Sequence, residues 1–356
     1  APAAPKAAPG RGPVTGEVRT LGPGIAGPVA QLEAAQVAVP APKPPRFSIA
    51  VATPQAFVRM LDYLSLAVLI GGGFFLARIW SAGTGDRRAQ RLLWWALLGS
   101  MVATLLTFGL TAAGLRGVSA LDALDPPVMR VLLGTRFSRV MAARALFLTL
   151  GFVVLTMLTL GRERAARSRW WQALAALAGG GVLVTHALLG HASNEGLAAR
   201  LAVFVHLAGV AVWLGGLIFL AVVVFPRRRS EEVRTLLPRF SALAFTAVSA
   251  MVLAGAVMVL RVAPRITELP QTGYGRMLIV KLVFVGLLLA AAQQARTFTE
   301  RRLVKDATHL RPLLTAVGVE LVLAVVILSS TSVLAGRVPP STRTPTNAAS
   351  TSKGQG

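Results

Sequence analysis

The sequence predicts an all-α membrane protein, a bundle of eight transmembrane helices with both termini on the extracytoplasmic side. Three observations predict it. Hydrophobic residues make up 54% of the 356 residues and charged residues only 14%, with a mean hydropathy of +0.64, far from an ordinary soluble domain. Apolar stretches of roughly 20 residues, the length a helix needs to span a bilayer, recur through the chain after Ala56. Basic residues gather in every second connection between them. A helix satisfies its own backbone hydrogen bonds in lipid, and no alternating ten-residue pattern points to a barrel instead.

The elements follow in order. Residues 1–50 are rich in Ala, Pro and Gly, as in Pro40-Ala41-Pro42-Lys43-Pro44-Pro45, and read as a disordered extracytoplasmic tail. Val29 to Val39 has the composition of a short helix or strand but cannot build a core alone. The membrane domain covers residues 57–336. Its spans run Phe57 to Trp80, Leu92 to Leu115, Val140 to Leu160, Trp170 to Gly190, Leu201 to Phe225, Phe240 to Leu260, Met277 to Ala295 and Leu313 to Ala335. Residues 337–356 are polar and proline-bearing and read as a disordered C-terminal tail. The long connection Arg116 to Arg139 has room for an interfacial helix around Pro127 to Leu133.

Orientation comes from the loops. The connections after spans one, three, five and seven carry Arg87, Arg88 and Arg91; Arg162, Arg164, Arg167 and Arg169; Arg227, Arg228, Arg229 and Arg234; and Arg301, Arg302, Lys305 and Arg311. These belong on the cytoplasmic side, which puts both termini outside the cytoplasmic membrane. The chain opens at Ala1, as expected after removal of an export signal or from a start imposed by expression. The net charge of +23 sits mainly in these short runs. It is therefore a topology signal and not a nucleic-acid footprint.

The absence of cysteine removes disulfides, thiolate metal sites and cysteine nucleophiles together. Any metal must use His, Met or oxygen ligands. Three of the four histidines, His186, His191 and His206, lie at the facing ends of spans four and five, joined by the turn Ser193-Asn194-Glu195-Gly196. An imidazole inside a membrane is costly unless it ligates, pairs or relays something. His186 and His206 fall at similar depth on antiparallel neighbours and face one another if the helix rotations agree. Five residues of helix turn through about 140°, so His191 joins them only if the helix ends between it and His186; Gly190 is suited to that end.

Such a trio suits copper, zinc, nickel or iron. Met60, Met129, Met141, Met258 and Met277 all map to the outer half, and thioether sulfur favours Cu(I), which tilts the metal towards copper. Each methionine alone is equally an ordinary packing residue. In span five, His206, Gly209, Val210, Trp213, Gly216 and Leu217 share one face at three- and four-residue spacing, inviting close approach of a neighbour. Trp213 walls a site or simply packs. Ionisable residues inside the spans form a third group. Asp62, Arg144 and Lys281 lie at comparable depth and Glu320 deeper; a pair such as Asp62 with Lys281 would neutralise two costly charges. Glu320 is a candidate proton or cation site on a path. Thr272-Gly273-Tyr274-Gly275-Arg276 reads as a tight turn with an interfacial aromatic before span seven.

The ordered set His206-Leu207, Val212-Trp213-Leu214-Gly215-Gly216-Leu217, Pro238-Arg239-Phe240-Ser241, Thr272-Gly273-Tyr274-Gly275-Arg276, Lys281 and Glu320 resembles the copper resistance protein D (CopD) family. The resemblance is specific from span four to span eight and looser elsewhere. It implies an integral membrane protein of copper homeostasis that moves copper across the cytoplasmic membrane or delivers it to periplasmic and membrane cuproproteins. Some members carry a copper-binding β-sandwich ahead of the membrane region; the tail here is too short and too poor in His and Met to be one.

The resulting expectation is a non-enzymatic copper importer or delivery protein. Its outer-facing metal site uses His186, His191 and His206, with Met60, Met141, Met258, Met277, Trp213, Asp62, Lys281 and Glu320 as pathway or auxiliary groups. The partners expected are copper ion, a periplasmic copper chaperone or membrane cuproprotein, and membrane lipid, with no nucleic acid. No Walker-type ATP motif is visible, so the ion gradient, membrane potential or proton coupling drives movement. Two alternatives stay open: a b-type haem electron-transfer protein whose haem sits between His186 and His206, and a non-catalytic assembly subunit.

Overall fold

The computed structural model describes residues 49–116, 133–190, 196–227, 230–262, 273–298 and 310–334, all of them in helices or the short links between helices. The two tails, most of the expected interfacial helix at Pro127 to Leu133, and His191 lie outside the described residues.

The helices are α1 (Ile49–Leu66), α2 (Gly72–Arg78), α3 (Arg87–Arg116), α4 (Arg136–Arg167), α5 (Arg169–Leu189), α6 (Leu197–Phe219), α7 (Ser230–Val262), α8 (Gly273–Phe298) and α9 (Leu310–Leu334). A π-helical stretch, Ala67–Gly71, welds α1 and α2 into the first span, and a second, Leu220–Val224, extends α6. Seven helical stretches among the described residues are long and apolar enough to cross a membrane, and α8 adds the shorter apolar run Leu278–Ala290. Helices in the predicted order are thus present for all eight expected spans, seven of them long and apolar enough to cross a membrane by that measure. One local reading changes: α8 begins at Gly273, so Gly273-Tyr274-Gly275 form its first turn and not a separate turn before it.

α6 is the central post of the bundle. In its most apolar window 61% of the residues are buried inside the protein, against 17% for α7, which presents most of its surface outward. Small residues explain how α6 gets there. A Cβ at Gly215 would collide with the Ala67 carbonyl oxygen and lie 2.8 Å from the Gly71 Cα, and one at Gly71 would collide with the Ala211 carbonyl. The α6 backbone therefore rides directly on the π-helical stretch, an approach only glycine permits. On its other face, a Cβ at Gly209 would stand 2.8 Å from the Ala247 carbonyl of α7, and one at Gly216 would enter the Phe240 ring. The small-residue stripe foreseen on span five thus packs α7. Trp213 and Leu217 are buried in the main hydrophobic core.

Helix ends follow ordinary capping chemistry. Asp86 caps α3, its Oδ1 accepting from the Arg88 N–H at 2.7 Å and the Ala89 N–H at 3.2 Å. Thr135 caps α4 by accepting from the Ser138 N–H at 3.3 Å. α5 ends at Leu189, where the Gly190 N–H donates to the His186 carbonyl at 3.0 Å. Gly196, with φ of 88°, turns the chain into α6, a left-handed conformation that favours glycine. At the end bearing the basic loops, Arg227 pairs with Asp86 at 3.2 Å and Glu232 at 3.6 Å and lies 5.1 Å from the Trp80 ring centroid. This clasp ties the first span, α3, α6 and α7 together.

Candidate functional site

Five polar side chains from four helices meet in an otherwise apolar interior. Asp62 of α1 and Arg144 of α4 are 5% and 2% exposed, deep enough that neither charge survives without the other. Arg144 Nη2 donates to both Asp62 oxygens, at 2.6 and 2.7 Å, and its Nε donates to Thr104 Oγ1 of α3 at 2.9 Å. Thr104 in turn donates to the Ser100 carbonyl at 2.7 Å, and Ser100 Oγ donates to Asp62 Oδ1 at 3.3 Å. Asp62 is thus paired with Arg144, and the expected pairing with Lys281 gives way. Depth along the span brought both cations into contention, but α1 packs beside α3, whose Thr104 steers Arg144 towards the carboxylate.

His186 of α5 completes this cluster. Its Nε2 lies 2.9 Å from Arg144 Nη1. A guanidinium can only donate and a carboxylate can only accept, so this nitrogen either accepts from Arg144 or donates to Asp62, according to the tautomer. The same Nε2 is 3.3 Å from Asp62 Oδ2, and the Tyr63 ring lies 5.6 Å from the imidazole centroid to centroid. His186 is therefore held by groups of α1 and α4.

His206 of α6 looks the other way. Its Nδ1 is 2.9 Å from the Met251 carbonyl of α7. A carbonyl only accepts, so Nδ1 bears the proton and Nε2 is left with its lone pair. Gly255 makes room for the ring: a Cβ there would sit 3.6 Å from Nδ1. Met251, Gly255 and Met258 recur at four- and three-residue spacing and share that face of α7.

The remaining predicted residues are dispersed. Met60 Sδ accepts from Ser329 Oγ of α9 at 3.3 Å, Met141 is buried, Met258 is half-buried, and the Met277 side chain lies outside the described residues. Glu320 is buried on α9. The two described histidines of the expected trio have different partners, and among the described residues no group of three or more His, Asp or Glu is placed to hold a metal. Sequence reasoning passed over Ser100, Thr104, Tyr63 and Met251. Ser100 and Thr104 sit four apart on α3, a faint signal; nothing marks a backbone carbonyl such as that of Met251.

Comparison with known proteins adds the family. The N-terminal domain profile of copper resistance protein D-like proteins matches residues 50–201, and the copper resistance protein D profile matches residues 234–334. The chain belongs to the copper resistance protein D family. The CopD N-terminal region holds the whole Asp62, Arg144 and His186 cluster; the second CopD region holds Met251, Lys281 and Glu320, and His206 stands in the segment between the two matches. A curated relative, the copper transport protein CutJ of Bacillus subtilis (strain 168), is 27% identical over 246 residues, covering 66% of this chain and 44% of its own length. The chain thus spans less than half of that relative. No solved structure matches it.

Proposed function

We propose that this chain binds copper at the extracytoplasmic end of the bundle and passes it inward across the cytoplasmic membrane, or hands it to a membrane cuproprotein. The observation that carries this reading is the orientation of His206. Metal-bound histidines commonly fix their tautomer by donating the other ring N–H to a carbonyl or carboxylate, and the bond to Met251 does that for His206. The lone pair at Nε2 is then presented beside a helix face bearing two methionines, a donor set suited to Cu(I).

His206 is the first ligand in this proposal and His191, on the short connection just ahead of α6, the second. His186 becomes available only when its Nε2 leaves Arg144, so it serves chiefly to complete the charged cluster beside the entry. Met60, Met141, Met258 and Met277 are soft stations for the ion, with Trp213 as a wall, and Lys281 and Glu320 lie along the way. Both termini are placed outside, and a periplasmic copper chaperone is the donor. An inside-negative potential favours entry of a cation by about 2.3 kcal/mol per charge per 100 mV, so inward movement needs no further energy source.

Copper uptake into vesicles containing the purified chain tests this. Imposing an inside-negative potential is expected to accelerate uptake by wild type, and His206→Ala is expected to reduce it to the level of empty vesicles. Uptake by His206→Ala equal to wild type removes the proposal.

A further inference from the structure

Between α1 and α3 lies a cleft of about 330 Å³, its open mouth included, lined by Gln55, Val58, Arg59, Thr107, Leu110 and Thr111. The copper reading does not use it. Its cation is Arg59, whose Nε is sealed from solvent and has no hydrogen-bond partner. A buried donor left unmatched costs about 1–3 kcal/mol, and more on a charged group. The carboxylate of Asp62 does not supply the match: its oxygens accept from Arg144 and Ser100. Arg144, by contrast, bonds through Nε and both terminal nitrogens. One guanidinium is fully satisfied by the fold; the half-buried Arg59 keeps an Nε with no partner among the described residues.

We propose that this cleft binds a phosphoryl anion, with the Arg59 guanidinium gripping its oxygens and the Gln55 amide and Thr111 hydroxyl completing the shell. An arginine fork matches phosphoryl oxygens in charge and geometry. Thr107 Oγ1 donates to the Ala103 carbonyl at 2.7 Å, so it offers the cleft a lone pair, which suits a protonated phosphate oxygen. Position agrees: Gln55 stands two residues ahead of Phe57, where the sequence starts the first apolar span, and Thr111 four residues before Leu115, where it ends the second. That is the level at which lipid phosphates meet the hydrocarbon. The anion is therefore either free phosphate or the headgroup of an anionic phospholipid. In both cases it neutralises a positive charge one helical turn from the Asp62 cluster, where an uncompensated guanidinium would repel an approaching cation. The inference stands apart from the copper reading and does not require it.

The test uses the full chain. In detergent, inorganic phosphate is titrated by calorimetry; in nanodiscs of phosphatidylglycerol or phosphatidylcholine, lipids retained after extraction are counted by native mass spectrometry. Wild type is expected to bind phosphate saturably, or to retain one phosphatidylglycerol and no phosphatidylcholine; the first outcome identifies the free ion and the second the headgroup. Arg59→Gln is expected to weaken whichever is seen by about tenfold or more, and Arg59→Lys by less. Should Arg59→Gln fail to fold, Thr111→Val and Gln55→Leu are expected to weaken binding several-fold. Absence of saturable binding of either probe to wild type, or binding unchanged in the variants, overturns the proposal.

Discussion

His186 and His206 are the same residue type on neighbouring helices, and the structure puts them to opposite uses. His186 is locked from the side of its Nε2 by Arg144 and Asp62, inside a cluster whose charges cancel. His206 is anchored from the side of its Nδ1 by a backbone carbonyl, with its ring against Gly255 on α7. The difference teaches that a membrane histidine is classified by which nitrogen the fold occupies. A ring held at Nε2 by an ion pair belongs to the scaffold; a ring held at Nδ1 by a carbonyl keeps its Nε2 lone pair, the role proposed for His206.

The comparison can be broken most severely at the ion pair. Arg144→Leu strands the Asp62 carboxylate in the interior and is expected to cost about 3–5 kcal/mol of stability, read as a lowered denaturation midpoint in detergent. Adding Asp62→Leu should recover more than half of that loss, because the unpaired charge and not the missing contact dominates. If the double variant is no more stable than the single one, the cluster is not held by charge pairing.

A smaller effect is expected at the crossing that positions both rings. Gly215→Val places branched carbon where the α6 backbone rides on Ala67 and Gly71, and the resulting overpacking should cost about 1–3 kcal/mol by the same melt. Tolerance of valine there would mean the helices are not in backbone contact.

His186→Ala sharpens the contrast further. It removes the Nε2 partner of Arg144 or Asp62, for an expected loss of about 1–2 kcal/mol, while His206→Ala, half-buried and tied to one carbonyl, should cost about 1 kcal/mol or less. A comparably small effect is expected at the opposite end of the bundle. Asp86→Ala removes the cap of α3 and the partner of Arg227, worth about 1 kcal/mol, with copper binding unchanged.

Much of this fold was legible because hydropathy and loop charge are local properties. The eight spans, the end of α5 at Gly190 and the close-packing face of Gly209 and Gly216 all follow from composition and helical period. The site was legible only in part. Sequence depth brought Asp62, Arg144 and Lys281 to one level, yet depth is one coordinate of three, and which helices adjoin α1 is set by tertiary packing. Whether His186 and His206 meet depended on helix rotation, at about 100° per residue, which composition does not record. The Met251 carbonyl belongs to the backbone, so no side-chain pattern announces it.

The two histidines are proposed to divide the work, His186 as scaffold and His206 as ligand. Copper content per chain after loading and gel filtration, compared among wild type, His186→Ala and His206→Ala, tests it most directly. The expected result is a full complement in wild type and His186→Ala with loss of most copper in His206→Ala. Retention by His206→Ala, or loss by a folded His186→Ala, contradicts it.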